Sequence, residues 1–243
     1  MNVFAKLCIT GLACLLPLAA QASVLTFRYT ATLDYMVALN PATGNYEGVY
    51  DETEFAGISF KAGDLISGTF RYDTAVTPDQ EEADPEYRTA YYVRSPADFM
   101  NYRFERTGYS FAAGAGLDPS GTAHVRDVAP GTQGRSDELH LAMFNSDDQF
   151  ERSMFLEFGD HSGSMFNDTS MPAALDLGQL DRLSMSGAFR GLNDDRWMGF
   201  GAQITLLEQV SSDVPEPGSL LLLAAGATGL LASRRRKRTA LIR

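Results

Sequence analysis

Leu25-Thr26-Phe27-Arg28-Tyr29-Thr30-Ala31-Thr32-Leu33-Asp34-Tyr35-Met36-Val37-Ala38-Leu39 is the stretch that decides the fold. Leu25, Phe27, Tyr29, Ala31, Leu33, Tyr35, Val37 and Leu39 occupy every second position, and Thr26, Arg28, Thr30, Thr32 and Asp34 take the alternate ones. A helix returns to one face every three or four residues, so a period of two held this long reads as a strand. An unbroken strand of this length would reach about 50 Å, which predicts a bend or bulge inside it.

The same alternation recurs in Leu65 to Tyr72, Met100 to Phe104, Leu139 to Met143, Met154 to Phe158, Leu183 to Phe189 and Phe200 to Leu206. Between these stretches lie turn clusters such as Asn40-Pro41-Ala42-Thr43-Gly44, Asp118-Pro119-Ser120-Gly121 and Pro130-Gly131. Nothing between Ser23 and Val210 sustains a 3.6-residue repeat. Roughly nine to eleven short strands with hairpin spacing predict an all-β fold, an antiparallel β-sandwich of jelly-roll type. In Leu65 to Tyr72 the residues Ile66, Gly68, Phe70 and Tyr72 share one face, and Gly68 predicts a bulge or a close approach there.

Both ends of the 243-residue chain read as addresses. Lys6 supplies a positive start, Leu7 to Leu18 an apolar run, and Ala20-Gln21-Ala22 a small-x-small site, so residues 1–22 are expected to be a signal peptide cleaved before Ser23. Cys8 and Cys14, the two cysteines of the sequence, lie in that leader. The expected mature body, 23–213, therefore lacks disulfide and thiol chemistry and must rely on its hydrophobic core. At the other end Val214-Pro215-Glu216-Pro217 precedes an apolar run from Leu220 to Ala232 and the basic cluster Arg234-Arg235-Arg236-Lys237-Arg238. As a helix, 218–233 would reach about 24 Å, short of a hydrocarbon core of about 30 Å. The cations would hold the last residues, including 239–243, in the cytoplasm and leave everything before Pro215 outside.

This order of motif, span and basic cluster over 214–238 resembles the PEP-CTERM sorting signal of Gram-negative bacteria. The resemblance implies an exosortase as the partner that recognises the tail and cleaves near Pro-Glu-Pro, export through the Sec machinery, a transient stay in the inner membrane, and delivery to the cell surface or extracellular matrix. Asp64 to Asp73 and Met171 to Leu177 also resemble segments near the start and the close of such exported β-domains. Because this sorting commonly accompanies extracellular polysaccharide, the resemblance further implies a structural or adhesive, non-catalytic role, with exopolysaccharide as a partner.

Charge narrows the partners. The chain holds 20 basic and 31 acidic side chains; setting aside Lys6 and, beyond Val214, six cations and Glu216 leaves 13 against 30, a net charge of -17 for 23–214. Twelve of those cations are arginine and one is Lys61. Such a body repels phosphate backbones and anionic membranes, so nucleic acid is excluded as a partner.

Catalytic machinery is thin. Gly108-Tyr109-Ser110-Phe111-Ala112 lacks the last glycine of a nucleophile elbow. His124, His140 and His161 have no zinc-site spacing, and His140, between Leu139 and Leu141, is expected to face solvent from a strand. Asp160-His161-Ser162 has the residue types of a triad, but neighbouring side chains point apart. No enzyme and no catalytic residue is therefore expected. Asp51-Glu52-Thr53-Glu54, Asp79 to Glu86, Asp147-Asp148 and Asp194-Asp195 are all expected in loops, where carboxylates could ligate calcium; no regular calcium loop is present, and no metal site is assigned. Trp197, the single tryptophan, stands beside Asp194 and Asp195. A ring that stacks on a sugar while neighbouring acids take its hydroxyls is a lectin-like alternative to the purely structural role, with calcium as its optional cofactor. A glycan-active hydrolase, which needs two carboxylates across a cleft, comes third.

Overall fold

The computed structural model describes residues 24–93, 99–112, 120–176 and 178–213. The leader with Ala20, Ala22 and Ser23, and the tail with Val214, Pro215, Glu216, Pro217, the 218–233 span, Arg234, Arg235, Arg236, Lys237 and Arg238, lie outside the described residues. Residues Val24–Ser212 form one compact unit. Among the described residues all regular structure is strand: β1 (Val24–Leu39), β2 (Tyr46–Val49), β3 (Glu52–Phe55), β4 (Ile58–Lys61), β5 (Leu65–Asp73), β6 (Gln80–Ala83), β7 (Tyr87–Val93), β8 (Phe99–Phe104), β9 (Ser110–Ala112), β10 (Ser120–Val128), β11 (Asp137–Ser146), β12 (Phe150–Asp160), β13 (Arg182–Gly191) and β14 (Trp197–Asp213).

The bulge in β1 sits at Asp34 and Tyr35. Leu25, Phe27, Tyr29, Ala31 and Leu33 are buried, the next two side chains both face outward, and Met36 takes the interior. Two residues spent on one side invert the alternation, which is what an extra residue in one strand does. The pairing partner changes at the same point. Val24 to Thr32 pair with β5, Met36 to Leu39 pair with β2, and between them the Leu33 amide donates to the Asp64 carbonyl while Leu33 accepts from the Gly63 amide. In β14 the same inversion leaves Leu206 exposed and Leu207 buried after Met198, Phe200, Ala202 and Ile204 have all pointed inward.

Twelve strands form a single sheet in the order β6-β7-β10-β11-β12-β13-β14-β1-β5-β8-β9, with β2 on β1, and β3 pairs with β4 in a separate hairpin. Tyr35 lies on Gly201, and the Thr205 hydroxyl donates to the Thr30 carbonyl, so β14 runs against β1. The two layers expected of a sandwich are made by this one sheet folding over. Phe70 of β5 meets Phe158 of β12 at 5.3 Å, and Phe200 of β14 meets Tyr102 and Phe104 of β8 at 5.7 and 5.4 Å. Each fully buried phenylalanine, such as Phe27, Phe70, Phe104 and Phe158, contributes about 2–3 kcal/mol. The close approach at Gly68 is real: a Cβ there would collide with the Asn101 carbonyl oxygen and the Tyr29 phenol. The Tyr29 hydroxyl, sealed inside, donates to that same carbonyl at 2.8 Å.

The acidic runs differ from the expected loops. Gln80–Ala83 is an exposed edge strand paired with β7, and Glu52–Phe55 pairs with β4. Backbone ladders need no apolar side chains, so an edge strand can be acidic throughout and remain invisible to hydrophobic alternation. Asp147-Asp148 and Asp194-Asp195 are in turns, as expected.

Candidate functional site

Trp197 opens β14 where the β13–β14 turn ends, and short bonds hold that turn. The Gly191 amide donates to the Arg196 carbonyl at 2.8 Å, and the Leu192 amide donates to the Gln149 carbonyl of the neighbouring turn at 2.9 Å. Asp194 accepts from the Arg196 amide at 3.0 Å and from its guanidinium at 2.7 Å. The Arg196 guanidinium beside it, aided by that amide, holds the Asp194 carboxyl below the usual carboxylate range. The same guanidinium lies over the rings of Phe150 and Phe55, 5.3 and 5.9 Å from their centroids, which fastens the turn to the core.

The indole leans over Gly199, whose missing Cβ leaves room for it; a Cβ there would stand 2.6 Å from the ring. Tyr46 of β2 meets Trp197 edge to face, at 4.9 Å and 81°, and is itself 63% exposed. The pair borders a groove of about 1260 Å³ that Glu54, Phe55, Arg190, Asp194 and Asp195 also line. Asp195 is exposed and has no hydrogen bond or ion pair among the described residues, so its carboxylate is open to a ligand. Two further rings continue the surface: Tyr35 lies on Gly201 and Tyr50 on Gly48, and both rings face solvent. Trp197 and Asp195 thus border one groove, with Asp195 unpaired among the described residues and Asp194 committed to its own turn. Tyr46 was the missing member. It lies far away in sequence, and the available signal was the spacing Trp197-x-Gly199-x-Gly201 and Gly48-x-Tyr50, which seats rings on bare backbone.

The remaining candidates are held elsewhere. His140 does not face open solvent: its ring stacks on His124 at 4.7 Å and on Phe155 at 5.7 Å on the outer face of β10, β11 and β12. Burial, with the charge of His124, pushes its pKa down to about 4. Strand pairing places His124 directly opposite His140, and cross-strand rings exclude water from one another. Glu138 bonds His124 at 2.9 Å and Arg126 at 3.0 Å; burial raises its pKa, but those two partners outweigh burial and leave it below the ordinary value. Asp160, His161 and Ser162 form no triad: the Ser162 and Ser164 hydroxyls donate directly to Asp160 at 2.6 and 3.1 Å, while His161 turns away to Asp181 at 2.8 Å. Several loop acids serve their own turns. Asp84 accepts from the Glu86 amide and Asp147 from the Gln149 and Phe150 amides, while Asp79 reaches across to the Val93 amide at the end of β7. Among the described residues no three His, Asp or Glu side chains come together as metal ligands.

The comparison with protein families bears on the tail. The PEP-CTERM protein-sorting motif matches residues 213–237. The chain carries this motif, which marks it as an exported protein, sorted by an exosortase to the cell surface or the extracellular space. No curated protein and no solved structure matches the chain.

Proposed function

We propose that the exported β-body is a non-catalytic, adhesive component of the cell surface or the exopolysaccharide matrix, and that it holds glycan chains on the Trp197 face. Sec-dependent export and a transient stay in the inner membrane through 218–233 belong to the same reading. The observation that carries it is the Trp197–Tyr46 pair, with Trp197 seated on Gly199 and Tyr46 exposed, at the rim of a groove with an open carboxylate at Asp195. An aromatic body with a polar neighbour suits a ligand that is apolar on its faces and hydroxylated at its edges.

Asp194 argues for binding rather than hydrolysis. A glycosidase needs one carboxyl group whose pKa is raised so that it can give a proton, whereas Arg196 shifts Asp194 downward. Trp197 is the single tryptophan, so intrinsic fluorescence reports on this site alone. Titrating the full-length chain with soluble neutral glucans and with exopolysaccharide from the producing strain should shift that emission, and Trp197→Ala should lose retention in glycan affinity gels while keeping its melting temperature. An unchanged emission with every glycan rejects the reading.

A further inference from the structure

The body is rich in acid, and its arginines show where the acid is missing. Arg88, Arg106, Arg126, Arg135, Arg152, Arg182, Arg190 and Arg196 each lie within ion-pair distance of a carboxylate. Among the described arginines, Arg28 and Arg103 have no such partner, although acids outnumber cations by more than two to one between residues 23 and 214. Both lie on the outward face of the sheet, Arg28 on β1 and Arg103 on β8, and both line one depression of about 340 Å³. Register explains their convergence: Arg28 pairs with Thr69 of β5, and Ser67 of β5 pairs with Arg103, so the two guanidiniums flank β5 from either side.

The floor between them is polar and fixed. Asn101 donates to the Thr69 hydroxyl at 2.9 Å and accepts from the Thr69 amide at 3.0 Å, and the Ser67 hydroxyl bonds Glu105 at the rim. Ser110 adds a hydroxyl with no partner among the described residues. Among the described residues lining the depression none is acidic. At physiological ionic strength charges beyond about 8 Å are screened, so an anion arriving here responds to the two arginines and to Glu105 at the rim, where the cations are in excess, rather than to the acidic body as a whole.

We propose that this cleft binds the carboxylate groups of an acidic polysaccharide, the uronate units of the same chain whose sugar faces rest on Tyr35 and Trp197. A planar guanidinium matches a carboxylate through two parallel N–H bonds, which favours arginine over lysine for this task. The outward face of β1 connects the two areas: Arg28 and Tyr35 are both exposed on it, about 23 Å apart along the strand, the span of a short oligosaccharide. The inference rests on the glycan reading and narrows its ligand to an anionic one.

The test compares polygalacturonate, its methyl ester, neutral dextran and dextran sulfate as ligands of the full-length chain at physiological salt. Polygalacturonate should bind roughly tenfold or more tightly than its methyl ester, as expected when charge-assisted hydrogen bonds are lost. The double variant Arg28→Gln/Arg103→Gln should abolish that preference. Arg182→Gln, which removes a cation already paired with Glu157, should leave it intact. Equal affinity for the methyl ester, or a preference that survives in the double variant, overturns the proposal, and so does tighter binding of dextran sulfate than of polygalacturonate. Binding of dextran lost only in Trp197→Ala would leave the glycan reading standing while this one fails.

Discussion

Tyr29 on Gly68 and Trp197 on Gly199 are the same device on opposite sides of the sheet. In both places an aromatic ring occupies the space a Cβ would take on a neighbouring strand residue. Inside, Tyr29 is fully buried, its hydroxyl is bonded to the Asn101 carbonyl, and burial raises its pKa well above that of a free phenol. Outside, Trp197 is only partly covered, and its neighbour Tyr46 is mostly bare. A ring enclosed on every side has nowhere to go, whereas one at the surface can swing into water. The interior pair therefore stabilises the fold, and the exterior pair shapes a surface while contributing little to stability.

That contrast can be broken most directly at Gly68. Gly68→Ala should destabilise the protein by about 3 kcal/mol, because the new methyl group meets a backbone oxygen that cannot yield as well as a packed ring. A loss under about 1 kcal/mol in urea unfolding would show that the two sides do not differ.

The outer face is not uniformly open, and His140 shows where it behaves like the interior. Its folded pKa of about 4 lies below the ordinary value of 6.5, so the unfolded chain takes up the proton first. The stability tied to its neutral form is complete above pH 6.5 and is lost as pH falls toward 4. His124, Glu138 and Arg126 surround it from β10 and β11, and Glu157 and Arg182 face it from β12 and β13. Because Glu138 is shifted below its own ordinary value, its contribution fades only at still lower pH. Between pH 6.5 and 4 the loss should be about 2 kcal/mol after allowing for the part of the ring that water reaches. His140→Gln should flatten that slope in melting curves collected across the interval, and an equally steep slope in the variant would place the titration elsewhere.

The smallest effect is expected at Gly199. Gly199→Ala should change stability by about 0.5 kcal/mol or less, since the indole can tilt away. It should nevertheless move Trp197 emission to longer wavelength and weaken glycan retention. A large loss of stability here would mean that the outer ring is packed as firmly as Tyr29.

Much of this was legible in the residues themselves. Alternation marked β1, β5, β8, β11, β12, β13 and β14, and the excessive length of β1 announced its bulge, because side-chain period and strand rise are local properties. The acidic strands β3 and β6 were not legible, since β6 is exposed throughout, β3 buries Phe55 alone, and both are held by backbone bonds that any side chain permits. His140 was misplaced for a related reason: alternation assigns a side of the sheet, and only the strand opposite decides whether that side is wet.

The chain by itself determined what depends on composition and near neighbours: an all-β, acidic body whose cysteines lie only at residues 8 and 14, and a tail with a PEP-CTERM motif. Tertiary structure alone decided that β14 lies between β13 and β1, that the single sheet closes on its own aromatic face, that Tyr46 meets Trp197, and that Arg28 and Arg103 line one depression. Strand ladders form through main-chain groups common to every residue, so the pattern along a strand says how it lies but not beside which strand. That choice is made by the packing of the whole core.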